Sequence, residues 1–151
     1  MFYTFGDYRD LCLGTDISAK TENGDITKAK NTIDRIFKHT GGTEEHKRKN
    51  WWEKNKNDIW QGMLCALEKV AGKTGTLTTK YPYHTIKFSG GDSNSPTLEK
   101  FAQTPQFLRW FTEWGDQFCR EREKQLATLL KECPEKICNE ADENKQKCTA
   151  A

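Results

Sequence analysis

The chain reads as an all-α domain: a disulfide-stapled helical bundle with two long antiparallel core helices and long loops. Three observations predict it. Apolar residues recur at spacings of three and four through two long stretches, about 44–70 and 104–132, the mark of one buried helical face. The segments around these stretches hold Gly, Pro, Ser, Thr and Asn, residues that punctuate helices. Six cysteines at wide spacing, Cys12, Cys65, Cys119, Cys133, Cys138 and Cys148, form an even count in a polar chain. That usage points to disulfides and an oxidising compartment.

The elements follow in order. Phe5, Tyr8, Leu11 and Cys12 share a face in a first helix over residues 2–13, which Gly14 stops. Asn23-Gly24 marks a turn, and Ile33, Ile36 and Phe37 return to helical spacing through Lys38. Thr43 is the N-cap of the first long helix. Its capping box is incomplete, because His46 stands where Glu or Gln would reach back. Trp52, Ile59, Met63, Ala66 and Val70 form the stripe of this helix, with Trp60, Leu64 and Leu67 widening it. Residues 71–95 read as a long loop with a short extended piece at 84–88. Thr104 and Pro105 fit the N-cap and first helical position of the second long helix. Phe107, Phe111, Trp114 and Phe118 then make an aromatic stripe that predicts burial against the first long helix, with Trp114 at its centre. From Cys133-Pro134 the chain is charged, with helical spacing over 139–147. No internal repeat is present.

Composition bounds the function. At 151 residues the chain is one domain or a piece of a larger one. Only 34% of residues are hydrophobic and 30% are charged, while five Trp and eight Phe supply large buried areas. A net charge of +2 gives no global field for nucleic acid. No apolar run reaches the roughly 20 residues that span a bilayer, so the chain inserts in no membrane by itself. No signal-peptide pattern opens it, and Met1 reads as a fragment boundary.

No catalytic constellation emerges. Gly72-Lys73-Thr74 mimics the end of a phosphate-binding loop, but Leu67 stands where the earlier glycine belongs, and the triplet follows a helix. His39, His46, Cys133 and Cys138 lack zinc-ligand spacing. Carboxylates fall in mixed-sign runs such as Arg120-Glu-Arg-Glu-Lys, which read as solvated faces. The expectation is a protein without catalytic residues, metal or cofactor. One run stands out: Lys47, Arg48 and Lys49, with Lys54 and Lys56, gather cations near a helix N-terminus against the macrodipole. They are candidate ligands for a sulfated glycan.

Four stretches together resemble one family. They are Phe5-Gly-Asp-Tyr-Arg-Asp-Leu-Cys-Leu-Gly-Thr-Asp-Ile, Trp51-Trp-Glu-Lys-Asn, Asp58-Ile-Trp-Gln-Gly-Met-Leu-Cys-Ala-Leu and Pro105-Gln-Phe-Leu-Arg-Trp-Phe-Thr-Glu-Trp-Gly-Asp-Gln-Phe-Cys-Arg-Glu-Arg. They are similar to the Duffy-binding-like domains of malaria parasite adhesins, above all the variant erythrocyte membrane proteins of Plasmodium falciparum, and look most like the beta subtype. The resemblance implies the middle helical subdomain over 1–132 and the start of a third, cysteine-rich subdomain over 133–151. It implies no enzyme but a host-receptor-binding adhesin module. The parent would be displayed on the outer face of the infected erythrocyte, for cytoadhesion under antigenic variation. The partner would be an endothelial protein such as intercellular adhesion molecule, or alternatively a sulfated glycosaminoglycan. Lys80, Tyr81, Tyr83, His84 and Lys87, in the long loop, are the candidate receptor contacts. Packing of the two long helices would bring Cys65 to Cys119, and Cys133 and Cys148 would close the tail, leaving Cys12 and Cys138 over.

Overall fold

Residues 1–19, 21–38, 43–88 and 94–132 are described by a computed structural model. The chain divides into two units, 1–111 and 112–151. Among the described residues six helices run in order: α1 (Phe2–Leu13), α2 (Asp25–Lys38), α3 (Glu44–Val70), α4 (Thr76–Lys80), α5 (Leu98–Gln103) and α6 (Gln106–Glu132). The all-α class therefore holds, and no strand occurs among the described residues.

The first unit is built around Phe5. Its ring is fully buried and meets Trp52 at 5.2 Å, Trp60 at 5.8 Å and Tyr83 at 5.8 Å between centroids. Tilted and edge-on contacts of this kind add to the area each aromatic buries. Cys12, Leu64, Leu98 and Ala102 complete the buried cluster. Gly14 ends α1 as the spacing predicts: its φ of 76° is left-handed, and the Thr15 N–H reaches back to the Asp10 carbonyl at 2.9 Å.

The segment after α3 is more ordered than a loop. Glu68, buried on α3, accepts backbone N–H groups from Gly75 (2.9 Å), Leu77 and Thr78 (3.0 Å) and so caps α4. Trp60 Nε1 donates to the Tyr81 carbonyl at 2.8 Å, which fixes the chain after α4. The extended piece is present as an isolated antiparallel bridge, Lys87 to Thr97. The Phe88 N–H donates to Pro96 O at 2.9 Å beside it, and the Leu98 N–H to Ile86 O at 3.0 Å. Thr97 then caps α5.

Three expectations are corrected. Thr104 does not cap α6: its hydroxyl donates to the Lys100 carbonyl of α5, and Pro105 O accepts the first α6 N–H groups. The α6 stripe is a helical face but not a core, since Phe107, Phe111, Trp114 and Phe118 remain 63, 61, 59 and 54% exposed. The buried side of α3 carries Arg48, Trp52, Trp60, Leu64 and Glu68, and α1, α4 and the 81–86 segment occupy it. Periodicity in α6 shows that one face is apolar; it does not supply the cover. The Cys65–Cys119 bridge is not made: both are free thiols on exposed faces, and Cys12 is a free, buried thiol. Cys133, Cys138 and Cys148 lie outside the described residues, as does the expected helix over 139–147.

Candidate functional site

The most connected polar site in the first unit is built by two of the stretches that carried the resemblance. Arg109, at the start of α6, is 1% exposed. Its Nη2 donates to Asp7 Oδ1 at 2.9 Å and Asp10 Oδ2 at 2.6 Å, both on α1. Its Nη1 donates to the Thr104 carbonyl at 2.7 Å, while Nε has no partner among the described residues. Gly6 makes the approach possible: a Cβ there would stand 2.6 Å from Arg109 Nε. Gln106 extends the net. Its Oε1 accepts the Ile17 N–H at 2.8 Å, and its Nε2 donates to Asp16 at 2.7 Å. Lys30 of α2 pairs with Asp16 at 2.5 Å. Burial pushes the Asp16 carboxyl up, but bonds from Lys30, Gln106 and Ser18 outweigh it and hold it below the usual carboxylate range. These residues form a fastener that docks α1, the 15–18 strap and the start of α6.

Arg48 makes a second fastener. It is buried, donates to the Cys12 carbonyl at 2.9 Å, and pairs with Asp34 at 2.6 Å and Glu44 at 2.5 Å. Its guanidinium lies 5.1 Å from the Phe37 ring centroid. Lys56 is likewise engaged, by Glu53 at 2.6 Å and Glu99 at 2.5 Å. Burial would lower its pKa, yet these two carboxylates raise it well above the ordinary lysine value. Lys47 donates to the Phe37 carbonyl at 3.3 Å, whereas Lys49 and Lys54 are exposed. The run of cations is therefore not one basic patch. Two of its five members are structural, and consecutive residues point 100° apart around a helix.

The candidate receptor contacts divide in the same way. Tyr83 is 3% exposed and belongs to the core, so it leaves the surface set; its ring packs on Phe5, and burial pushes its hydroxyl up to about 12. Lys80 and His84 are exposed, and Tyr81 and Lys87 are half-buried. Lys80 Nζ lies 5.4 Å over the Tyr81 ring. Sequence reasoning missed a different surface. Tyr8, Leu11, Ile33, Phe37, Trp51 and Ile59 line an apolar groove of about 550 Å³ among α1, α2 and α3. Tyr8, Ile36 and Trp51 are its exposed members. The sequence signal was Ile33, Ile36 and Phe37 at helical spacing on α2, a helix on which the structure leaves no residue fully buried.

Among the described residues no helix is long and apolar enough to cross a membrane. The Duffy binding domain family matches residues 1–149. The chain is similar to the Duffy receptor gamma form of Plasmodium knowlesi, 26% identical over 135 residues, which span 89% of this chain and 11% of that protein. The Duffy receptor of Plasmodium vivax (strain Salvador I) is 26% identical over 138 residues, again 89% of this chain and 11% of the relative. The beta form of Plasmodium knowlesi is 24% identical over 136 residues. The chain thus spans about a tenth of the length of these relatives.

Proposed function

The chain belongs to the Duffy binding domain family, and from that membership we propose that it is a host-receptor-binding module of a parasite surface adhesin, with no catalytic role. The family match over nearly the whole chain carries this reading, and the relatives are named as receptors. Its partner is a host cell-surface protein, an endothelial receptor such as intercellular adhesion molecule, engaged by an adhesin displayed on the infected erythrocyte. Two features favour a protein partner over a sulfated glycan. Arg48 and Lys56 are withdrawn from the cationic set by carboxylates. The apolar groove, with Trp51 and Tyr8 at its edge, has the aromatic character of an interface centre.

Surface plasmon resonance tests the choice. The chain is passed over intercellular adhesion molecule, other endothelial receptors and heparin-like glycan from low to high salt. Protein binding that changes little with salt supports the proposal. Binding to glycan alone, lost steeply with salt, overturns it. Lys87→Glu is expected to weaken receptor binding with the circular dichroism unchanged. Equal affinity in that variant would move the contact away from the 80–87 segment.

A further inference from the structure

Three guanidinium groups are drawn inward in the first unit, and they are not equally satisfied. Arg109 and Arg48 each meet two carboxylates and a backbone carbonyl at 3.0 Å or less. Arg9 does not. Its side chain is only 24% exposed, yet its contacts among the described residues are the Ala102 carbonyl at 3.4 Å and Asp10 Oδ1 at 3.7 Å. The reason is visible in Asp10. Its Oδ1 already takes the Thr15 hydroxyl at 2.7 Å, and its Oδ2 takes Arg109 at 2.6 Å. Arg9 therefore keeps most of its five donors unused in a position where reaching a partner costs little side-chain entropy.

That guanidinium lines a cleft of about 360 Å³ together with Thr15, Glu45, Lys49, Glu53 and Gln103, with Trp52 forming part of its wall. Lys49 stands one turn from both Glu45 and Glu53 on α3 and makes an ion pair with neither, while Glu53 is held by Lys56. We infer that this cleft seats a single carboxylate, the acidic side chain of a peptide segment in a partner protein. Arg9 offers the planar fork that matches a carboxylate in two hydrogen bonds, and Lys49 adds a second cation at the mouth. Glu45 and Glu53 restrict the site to one charge. A polysulfated chain would bring further anions against them, so the seat discriminates by hydrogen-bond geometry and not by a broad positive field. The inference goes beyond the receptor reading and does not depend on it, since it concerns which chemical group the cleft takes, whatever protein carries it.

The test uses the full 151-residue chain, labelled with nitrogen-15. It is titrated with the blocked pentapeptide Gly-Gly-Glu-Gly-Gly and with its Gln counterpart. The Arg9 Nε–H signal and the Thr15, Lys49 and Gln103 amide signals are expected to shift saturably with the Glu peptide only. Arg9→Lys, checked for an unchanged melting curve, should weaken that binding at least about tenfold. Lys49→Gln, at an exposed position, should weaken it less, and Glu45→Gln should tighten it. Equal shifts from the Gln peptide, no shift at all, unchanged affinity in Lys49→Gln and Arg9→Lys together, or tighter binding of a heparin oligosaccharide at these same signals would each overturn the inference.

Discussion

Replacing Arg109 by Ala should unfold the first unit at moderate temperature. The guanidinium is 1% exposed and is the shared partner of Asp7 and Asp10. Its removal leaves Asp10, itself buried, with only the Thr15 hydroxyl and the distant Arg9 for compensation. It also strips the Thr104 carbonyl of its donor and opens a cavity above Gly6. Removing one member of a buried ion pair costs about 3–5 kcal/mol. A domain of this size is stable by about 5–15 kcal/mol. At about 4–8 °C per kcal/mol, the midpoint should fall by at least about 12 °C. Thermal circular dichroism with urea titration measures it. Asp10→Ala in the Arg109→Ala background should cost less than Asp10→Ala alone, because the carboxylate has then lost its main partner. Gly6→Ala should cost about 1–3 kcal/mol by pushing a Cβ into the guanidinium. A midpoint shift under about 3 °C for Arg109→Ala would refute the fastener, and strictly additive losses in the double variant would refute the Arg109–Asp10 coupling.

The other consequences concern packing, thiols and acid. Trp114→Ala should change stability by no more than about 0.5 kcal/mol because the ring is exposed, whereas Tyr83→Ala should cost about 3 kcal/mol from the core; the reverse ranking in urea melts would contradict the structure. Cys65 and Cys119 should alkylate readily in the native chain, while Cys12, whose thiol burial raises to about 11, should react only on unfolding; mass mapping that finds Cys12 labelled with the others would count against its burial. Asp16 and Glu68 both titrate below their unfolded values: burial raises each, but Lys30, Gln106 and Ser18 outweigh it at Asp16, and the Thr78, Gly75 and Leu77 N–H groups at Glu68. Their contribution is present above the unfolded carboxylate range and is lost as pH falls through the depressed values. Stability should hold from pH 7 to about 5 and fall below about pH 4, less steeply in Asp16→Asn; an acid loss already complete at pH 5 would contradict this.

The helices were legible because they depend on local spacing. The helices expected over 44–70 and 104–132, the stop at Gly14 and the extended piece near 84–88 all appear where the residues place them, but α3 buries Trp52, Trp60 and Leu64 and leaves Ala66, Leu67 and Val70 of its expected stripe exposed. What was not legible depends on partners far along the chain. Lys56 reads as one cation among several, but the carboxylate that binds it, Glu99, lies 43 residues away. Arg48 reads as part of a basic run, though Asp34 and the Cys12 carbonyl hold it inside. Glu68 looks like a solvated helix residue and is the cap of α4. Tyr83 sits in a segment of turn residues, and only the α3 and α1 aromatics around it reveal a core position. The exposed α6 stripe is the converse case: amphipathic spacing identifies an apolar face and says nothing of its neighbour. The motif stretches behave as architecture. Their Asp7, Asp10, Gln106 and Arg109 fasten the helices.

Receptor engagement by a cell-surface protein is tested most directly on intact cells. Labelled chain is added to endothelial cells that are untreated, treated with a protease that shaves surface proteins, or treated with glycosaminoglycan lyases, and bound label is counted by flow cytometry. Binding that protease abolishes and lyases leave intact is the predicted result. Binding that survives protease and disappears with the lyases, or no binding to any of the cells, would contradict it.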